Sequence, residues 1–166
     1  ISIRILQQHL LDTGCRLMPF IDTQPDDPYF HAIQTCGLRG ILRGRGEPHQ
    51  WANRTWFYPD QAVTPEELLQ AVMVIRNQKI QADPVSDQSA PPASLGRACS
   101  LLRAILIDPG CDIRQTDSGT ASSIQEDWDW IIQRGAMPPE AQHQIPCSPL
   151  RRKDLAWMVD HLVPLA

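Results

Sequence analysis

The sequence predicts an all-α protein in which duplicated helix–loop–helix units pack on a shared core. Three observations carry that expectation. Apolar residues recur at helical spacing in several separate stretches. Fifteen prolines, against 9 glycines, cut those stretches short, because proline breaks helices and fixes φ. The pattern of residues 33–75 also returns in 128–162.

Each element has a local reason. Residues 2–13 read as a lead helix, with Ser2 as N-cap, Ile3, Leu6 and Leu10 on one face, and Gly14 as the stop. The acidic, proline-bearing stretch Asp22 to Pro28 reads as loop. A helix over about 28–39 carries Phe30, Ile33, Gly37 and Leu38 and ends at Gly40. Residues 43–59 read as one long loop, anchored by Trp51, Trp56, Phe57 and Tyr58.

The clearest local signal is Val63-Thr64-Pro65-Glu66-Glu67-Leu68. Thr64 and Glu67 form a capping box, Pro65 suits the first helical position, and Val63 with Leu68 makes a hydrophobic staple. Leu68, Val72 and Ile75 continue that helix. The proline-rich stretch 79–92 reads as a linker. A helix from Ser94 to about Ile107 follows, with Leu95, Ala98, Leu102, Ile105 and Leu106 as its buried stripe, stopped by Asp108-Pro109-Gly110. Residues 111–123 read as polar loop. Trp128, Ile131 and Ile132 lie on a short helix ending at Gly135, and Leu155, Val159 and Leu162 on a last helix over about 151–162.

The halves align. Ile33–Gly40 matches Trp128–Gly135, and each glycine is followed by two apolar residues, Ile41-Leu42 and Ala136-Met137. The loops end at Pro59 and Pro146, and from there Val63 falls on Leu150, Glu67 on Asp154, Leu68 on Leu155, Val72 on Val159 and Ile75 on Leu162. A unit this short cannot bury its own face, so copies pack on one another. The organisation reads as a lead helix at 1–18, a first unit at 19–80, a linker at 81–92, a middle helix and loop at 93–123, and a second unit at 124–166.

Composition excludes several classes. A formal net charge of −4 gives no basic footprint for nucleic acid. No apolar run approaches the roughly 18–20 residues of a membrane span. A start at Ile1 without a charged, apolar leader reads as a mature product or a segment of something longer. Cys15, Cys36, Cys99, Cys111 and Cys147 are widely spaced with no C-x-x-C, which argues against zinc. Cys36 and Cys99 read as small core residues, while Cys111 and Cys147 lie in loops and remain open to pairing.

The strings Phe20-Ile21-Asp22, Phe30-His31-Ala32-Ile33, Gly40-Ile41-Leu42-Arg43-Gly44, Phe57-Tyr58-Pro59-Asp60 and Val63-Thr64-Pro65-Glu66-Glu67 resemble an S-layer homology unit. The likeness covers about 20–76 well and 124–163 more weakly, and a three-lobed arrangement would make 94–107 the remnant of a third unit. Ile3-Arg4-Ile5-Leu6-Gln7-Gln8 and the Ala-Ile-Gln and Gly-Leu-Arg-Gly strings that follow are closer still to the C-terminal region of secreted bacterial FAD-dependent oxidoreductase-like proteins, some named xanthan lyases. These resemblances imply a non-catalytic accessory module of an exported parent, secreted, periplasmic or at the cell surface. Any FAD would lie in the parent, and the partner would be the parent's catalytic domain, another protein, or a cell-wall or acidic polysaccharide. A stand-alone glycan-binding domain and a fragment that completes a flavoenzyme site are the alternatives. The family's anion-binding arginine falls at Pro65 in the first unit and at Arg152 in the second.

The residues themselves offer two candidate anion or glycan sites. Arg39, Arg43, Arg45 and Arg54 accompany Trp51 and Trp56 in the long loop, and guanidiniums beside flat rings suit an acidic sugar. The alternative is that the tryptophans anchor the loop and the arginines are solvated. Arg151, Arg152 and Lys153 open the last helix, where cations oppose the helix dipole and a bound anion would relieve them. The alternative is an exposed cluster. Asp22, Asp26 and Asp27 fit turns better than a calcium loop. No catalytic dyad or triad and no metal site is readable, and Gly44-Arg45-Gly46 lacks the strand-to-helix setting of a dinucleotide site.

Overall fold

The computed structural model of the chain describes residues 2–76, 90–114 and 121–163. Among them are six α-helices: α1 (Ile3–Asp12), α2 (Phe30–Leu38), α3 (Pro65–Ile75), α4 (Leu95–Ile107), α5 (Ala121–Gln133) and α6 (Arg152–Leu162). A 3-10 turn lies at Pro139–Ala141. The all-α expectation does not hold. Residues 43–59, expected to be loop, contain an antiparallel hairpin of β1 (Arg45–His49) and β2 (Ala52–Trp56), with Arg45 opposite Trp56 and His49 opposite Ala52. The alternation that would betray such a strand is hidden, because most of its residues are solvent-facing.

Three chain segments meet at the centre. Val63 N–H donates to Leu150 C=O, Leu150 N–H to Ala93 C=O, and Ala93 N–H to Val63 C=O, each at 2.8 Å. Each of these residues stands immediately before the cap of a long helix: Thr64 for α3, Ser94 for α4 and Arg151 for α6. The closed ring therefore fixes three helix starts around one point. Below it, Leu68, Ala98 and Leu155 occupy matching positions, then Val72, Leu102 and Val159, all buried in one core cluster. Helix α6 lies along α2, and α4 along α5.

The helix starts interlock in the same way. On α6, the N–H groups of Arg152 and Lys153 donate to the carbonyls of Gln61 and Pro59 at 3.0 Å each. On α4, those of Leu95 and Gly96 donate to Ser148 at 2.9 Å and Pro146 at 2.8 Å. Donors left orphaned by helix geometry are thus satisfied by the neighbouring unit. On α3 the first helical position is Pro65, which has no donor to satisfy.

Helices α2 and α5 end alike. Gly40 and Gly135 take φ of +69° and +67°. Around them Ile41 N–H reaches Cys36 C=O, Gly40 N–H reaches Gly37, Ala136 N–H reaches Ile131, and Gly135 N–H reaches Ile132. These paired bonds are a Schellman motif at both ends, which requires a left-handed residue. Gly14 closes α1 in the same manner at φ +79°.

Several finer expectations change. Thr64 Oγ1 accepts from Glu67 N–H at 3.2 Å, but the Glu67 carboxylate turns to Arg152 at 2.7 Å, so the capping box shows its hydroxyl half. Ser2 makes no side-chain cap bond. Leu11, not Ile3 or Leu6, is the buried residue of α1. On α4, Leu101 takes the core place expected of Leu106, which is exposed, and Ile132 on α5 is also exposed. Helix α5 begins within what reads as polar loop. The linker expected at 81–92 lies mostly outside the described residues. Cys36 and Cys99 are buried in the core, and all five cysteines are free thiols.

Gly44 sits where the chain enters the hairpin, and a Cβ there would run into the Phe20 ring and Thr55. Gly46 has open space around the same position. Gly44→Ala should therefore lower stability by about 1–3 kcal/mol through overpacking, whereas Gly46→Ala should stay within about 0.5 kcal/mol. Paired thermal or urea denaturation measures the contrast. At the helix ends, Gly40→Ala and Gly135→Ala should each cost about 1–2 kcal/mol, since both positions demand positive φ.

Candidate functional site

The arginines and tryptophans singled out from the sequence divide into two groups with opposite fates. Arg151, Arg152 and Lys153 turn inward. Arg152 is 2% exposed. Its Nε donates to Phe57 C=O at 2.8 Å, its Nη2 to Arg43 C=O at 2.6 Å and its Nη1 to Glu67 Oε1 at 2.7 Å, with the guanidinium 4.8 Å from the Phe57 ring centre. Burial pulls the Arg152 pKa below its ordinary value, and Glu67 opposes that pull. The guanidinium fork is thus filled by the protein, tying α6 to α3 and to both ends of the hairpin segment.

Arg151 and Lys153 flank it on the opposite rim. Arg151 Nε donates to Asp154 Oδ2 at 2.9 Å and its Nη2 to Oδ1 at 3.2 Å, while Nη1 lies 2.9 Å from Glu140. Lys153 Nζ lies 2.8 Å from Asp60 and 3.0 Å from Glu140, 5.1 Å from the Tyr29 ring centre. Lys153 and Arg151 hold the Glu140 carboxyl below its usual range, Lys153 first. The conflict with the helix dipole read from the sequence is resolved by carboxylates of the chain itself. The first N–H groups of α6, proposed as an anion cradle, already donate to Gln61 and Pro59.

The second group faces outward. In the hairpin register, Arg45, Glu47 and His49 share one face with Trp56, Arg54 and Ala52. Trp56 stacks on Tyr58 with ring centres 6.1 Å apart and planes 19° apart. Arg45 lies 5.7 Å from the Tyr58 ring centre, the Tyr58 hydroxyl donates to Glu47, and Arg54 Nη2 lies 2.7 Å from His49 Nε2. That bond to Glu47 pushes the Tyr58 phenol above its ordinary range, which keeps it a donor. Trp51 stands at the hairpin tip and is 92% exposed. Arg43 and Arg54 are exposed as well. Arg39 belongs elsewhere, donating to Val163 C=O at 2.6 Å.

Two residues that sequence reading did not assign to this face build it. Asp22 accepts Phe57 N–H at 2.9 Å and Tyr58 N–H at 2.7 Å. It thereby holds Tyr58 at φ +58°, unusual for an aromatic residue, and turns its ring beside Trp56. Glu47 anchors the Tyr58 hydroxyl. Asp22 reads in the sequence as a turn residue, and the signal that marks it, an aspartate two positions after the buried Phe20, is too short to reveal a partner 35 positions away.

No His, Cys, Asp and Glu grouping able to hold a metal occurs among the described residues. No described helix is long and apolar enough to cross a membrane. No family model matches the sequence, and neither curated proteins nor solved structures provide a match.

Arg152→Ala should destabilise the chain by about 3–5 kcal/mol, because it strands Glu67 and two carbonyls in a buried setting. Arg152→Lys should recover only part of that, since an ammonium cannot span three acceptors as a planar fork does. Arg54→Ala should be nearly neutral for folding. Chemical denaturation of the three variants ranks them.

Proposed function

We propose that this chain is a non-catalytic accessory module, of the S-layer homology type, that binds acidic saccharide through the outer face of its β-hairpin. The observation that carries the reading is the combination of Trp56, Tyr58, Arg45 and Arg54 on one face of the hairpin with exposed Trp51 at its tip. Stacked rings offer apolar faces to a sugar ring, and guanidiniums offer paired donors to a carboxylate. The carboxylates of that face, Glu47 and Asp22, are engaged by the Tyr58 hydroxyl and by the Phe57 and Tyr58 N–H groups, which leaves the guanidiniums of Arg45 and Arg54 to meet an anionic ligand. The meeting of three helix starts in one ring agrees with the three-lobed arrangement that the resemblance implies. The parent is an exported FAD-dependent oxidoreductase-like protein on this reading, and the ligand is a uronate- or pyruvate-bearing polysaccharide.

A second reading rests on α1. Ile3, Ile5 and Leu6 are 74%, 65% and 50% exposed, an apolar stripe suited to docking on the parent's catalytic domain.

Calorimetric titration of the chain with acidic and neutral polysaccharides tests the first reading. Acidic chains should bind and neutral ones should bind at least tenfold more weakly, with Trp51→Ala and Arg54→Ala each weakening the interaction several-fold while melting like the wild type. Equal binding of neutral chains, or unchanged affinity in both variants, overturns it. Tighter binding of a flavin-containing parent than of any glycan, lost on Leu6→Asp, would favour the second.

A further inference from the structure

Helix α1 is attached to the rest of the protein mainly at its C-terminal end. Its N-terminal half is exposed, whereas Leu11 is buried and Gln8 and Asp12 reach His31 on α2. His31 also faces α6. Its Nδ1 lies 2.9 Å from Asp160 Oδ2, and its Nε2 lies 2.7 Å from Gln8 Nε2 and 3.4 Å from Asp12 Oδ1. Gln8 Nε2 in turn donates to Asp12 Oδ1 at 2.9 Å. One imidazole therefore joins three helices.

The Gln8 amide nitrogen donates to Asp12 and faces the ring at Nε2, and that placement selects the ring tautomer. An amide nitrogen can only donate, so the ring nitrogen facing Gln8 must accept, and Nδ1–H must donate to Asp160. This is the neutral ring. Adding a proton at Nε2 would oppose N–H to N–H at Gln8. The amide then has to turn, and Asp12, already 3.4 Å away, becomes the acceptor. The contact between α1 and α2 changes from one amide hydrogen bond to an aspartate–imidazolium–aspartate bridge.

We propose that His31 is a protonation-dependent clasp that seats α1 on the α2–α6 pair more firmly when its ring is charged. Asp12 from α1 and Asp160 from α6 are the charged groups facing it among the described residues, and both favour the charged ring. The hydrogen bond to Asp160 raises the His31 pKa above its ordinary value of 6.5, with burial opposing. A folded-state pKa above the unfolded one contributes stability that is fully present below 6.5 and fades as pH rises through the raised value. The seating of α1 therefore tightens on mild acidification.

The test is amide hydrogen exchange of the full chain between about pH 5 and pH 8, expressed as protection factors, together with imidazole nitrogen shifts. Protection of α1 should fall about threefold across that range while α4 stays level, the scale of a partly exposed ion pair. His31→Gln should remove the slope. Asp12→Asn, at a side chain 58% exposed, should flatten it without loss of fold. At high pH the His31 shifts should report the Nδ1–H tautomer. Level α1 protection in the wild type, an unchanged slope in either variant, or an Nε2–H tautomer overturns the proposal.

Discussion

Everything in this fold hangs on three backbone hydrogen bonds. Val63, Ala93 and Leu150 donate and accept in a closed circuit, so α3, α4 and α6 cannot start anywhere but around that point. Each residue is buried, at 0%, 4% and 0% exposure, so the bonds form away from water and an unmade one would cost a desolvated donor or acceptor. Capping by Thr64 and Ser94, and the donation of the next N–H groups to neighbouring carbonyls, follow from that arrangement. The apolar stripes of α3, α4 and α6 are thereby aimed at one another and close a single core.

Arg152 extends this centre to the periphery. Its three bonds connect the start of α6 with Glu67 on α3 and with Arg43 and Phe57, which bracket the hairpin. The residue that by resemblance would contact an anionic ligand instead holds its own chain, and the carboxylates Asp154, Glu140 and Asp60 hold its neighbours. On the proposed reading, binding chemistry therefore lies on the hairpin and not at the ring of helix starts. That surface is rigid at its root, through Asp22 and the packing of Phe20 against Phe57, and exposed at its tip. A stable root with an open tip is the division of labour expected where a scaffold presents a recognition loop.

Much of the helical framework was legible. Thr64-Pro65, most of the periodic apolar residues of α3 and α4, and the glycines after α2 and α5 each carry a local physical cause and appear where the sequence places them, Leu106 being the exception. The candidate site was legible only in part. Trp51, Arg54 and Trp56 do share the hairpin, but its strands read as loop in the sequence because a solvated two-stranded hairpin shows no apolar alternation. The inward turn of Arg152 was invisible, since Glu67 lies 85 positions away, and so were Asp60 and Glu140 as partners of Arg151, 91 and 11 positions away.

Taken alone, the sequence determined where α3 and α4 begin and where α2 and α5 end, because caps, prolines and glycines act through bonds within a few residues. It also raised the expectation that 33–75 and 128–162 share a plan. Only the tertiary structure decided that a third segment, at Ala93, closes the circuit, that the basic cluster is neutralised from within, and that α1 leaves Ile3, Ile5 and Leu6 in water. Those outcomes depend on which distant groups arrive at the same place, and charge and hydrophobicity read along a chain record the groups without recording their meeting.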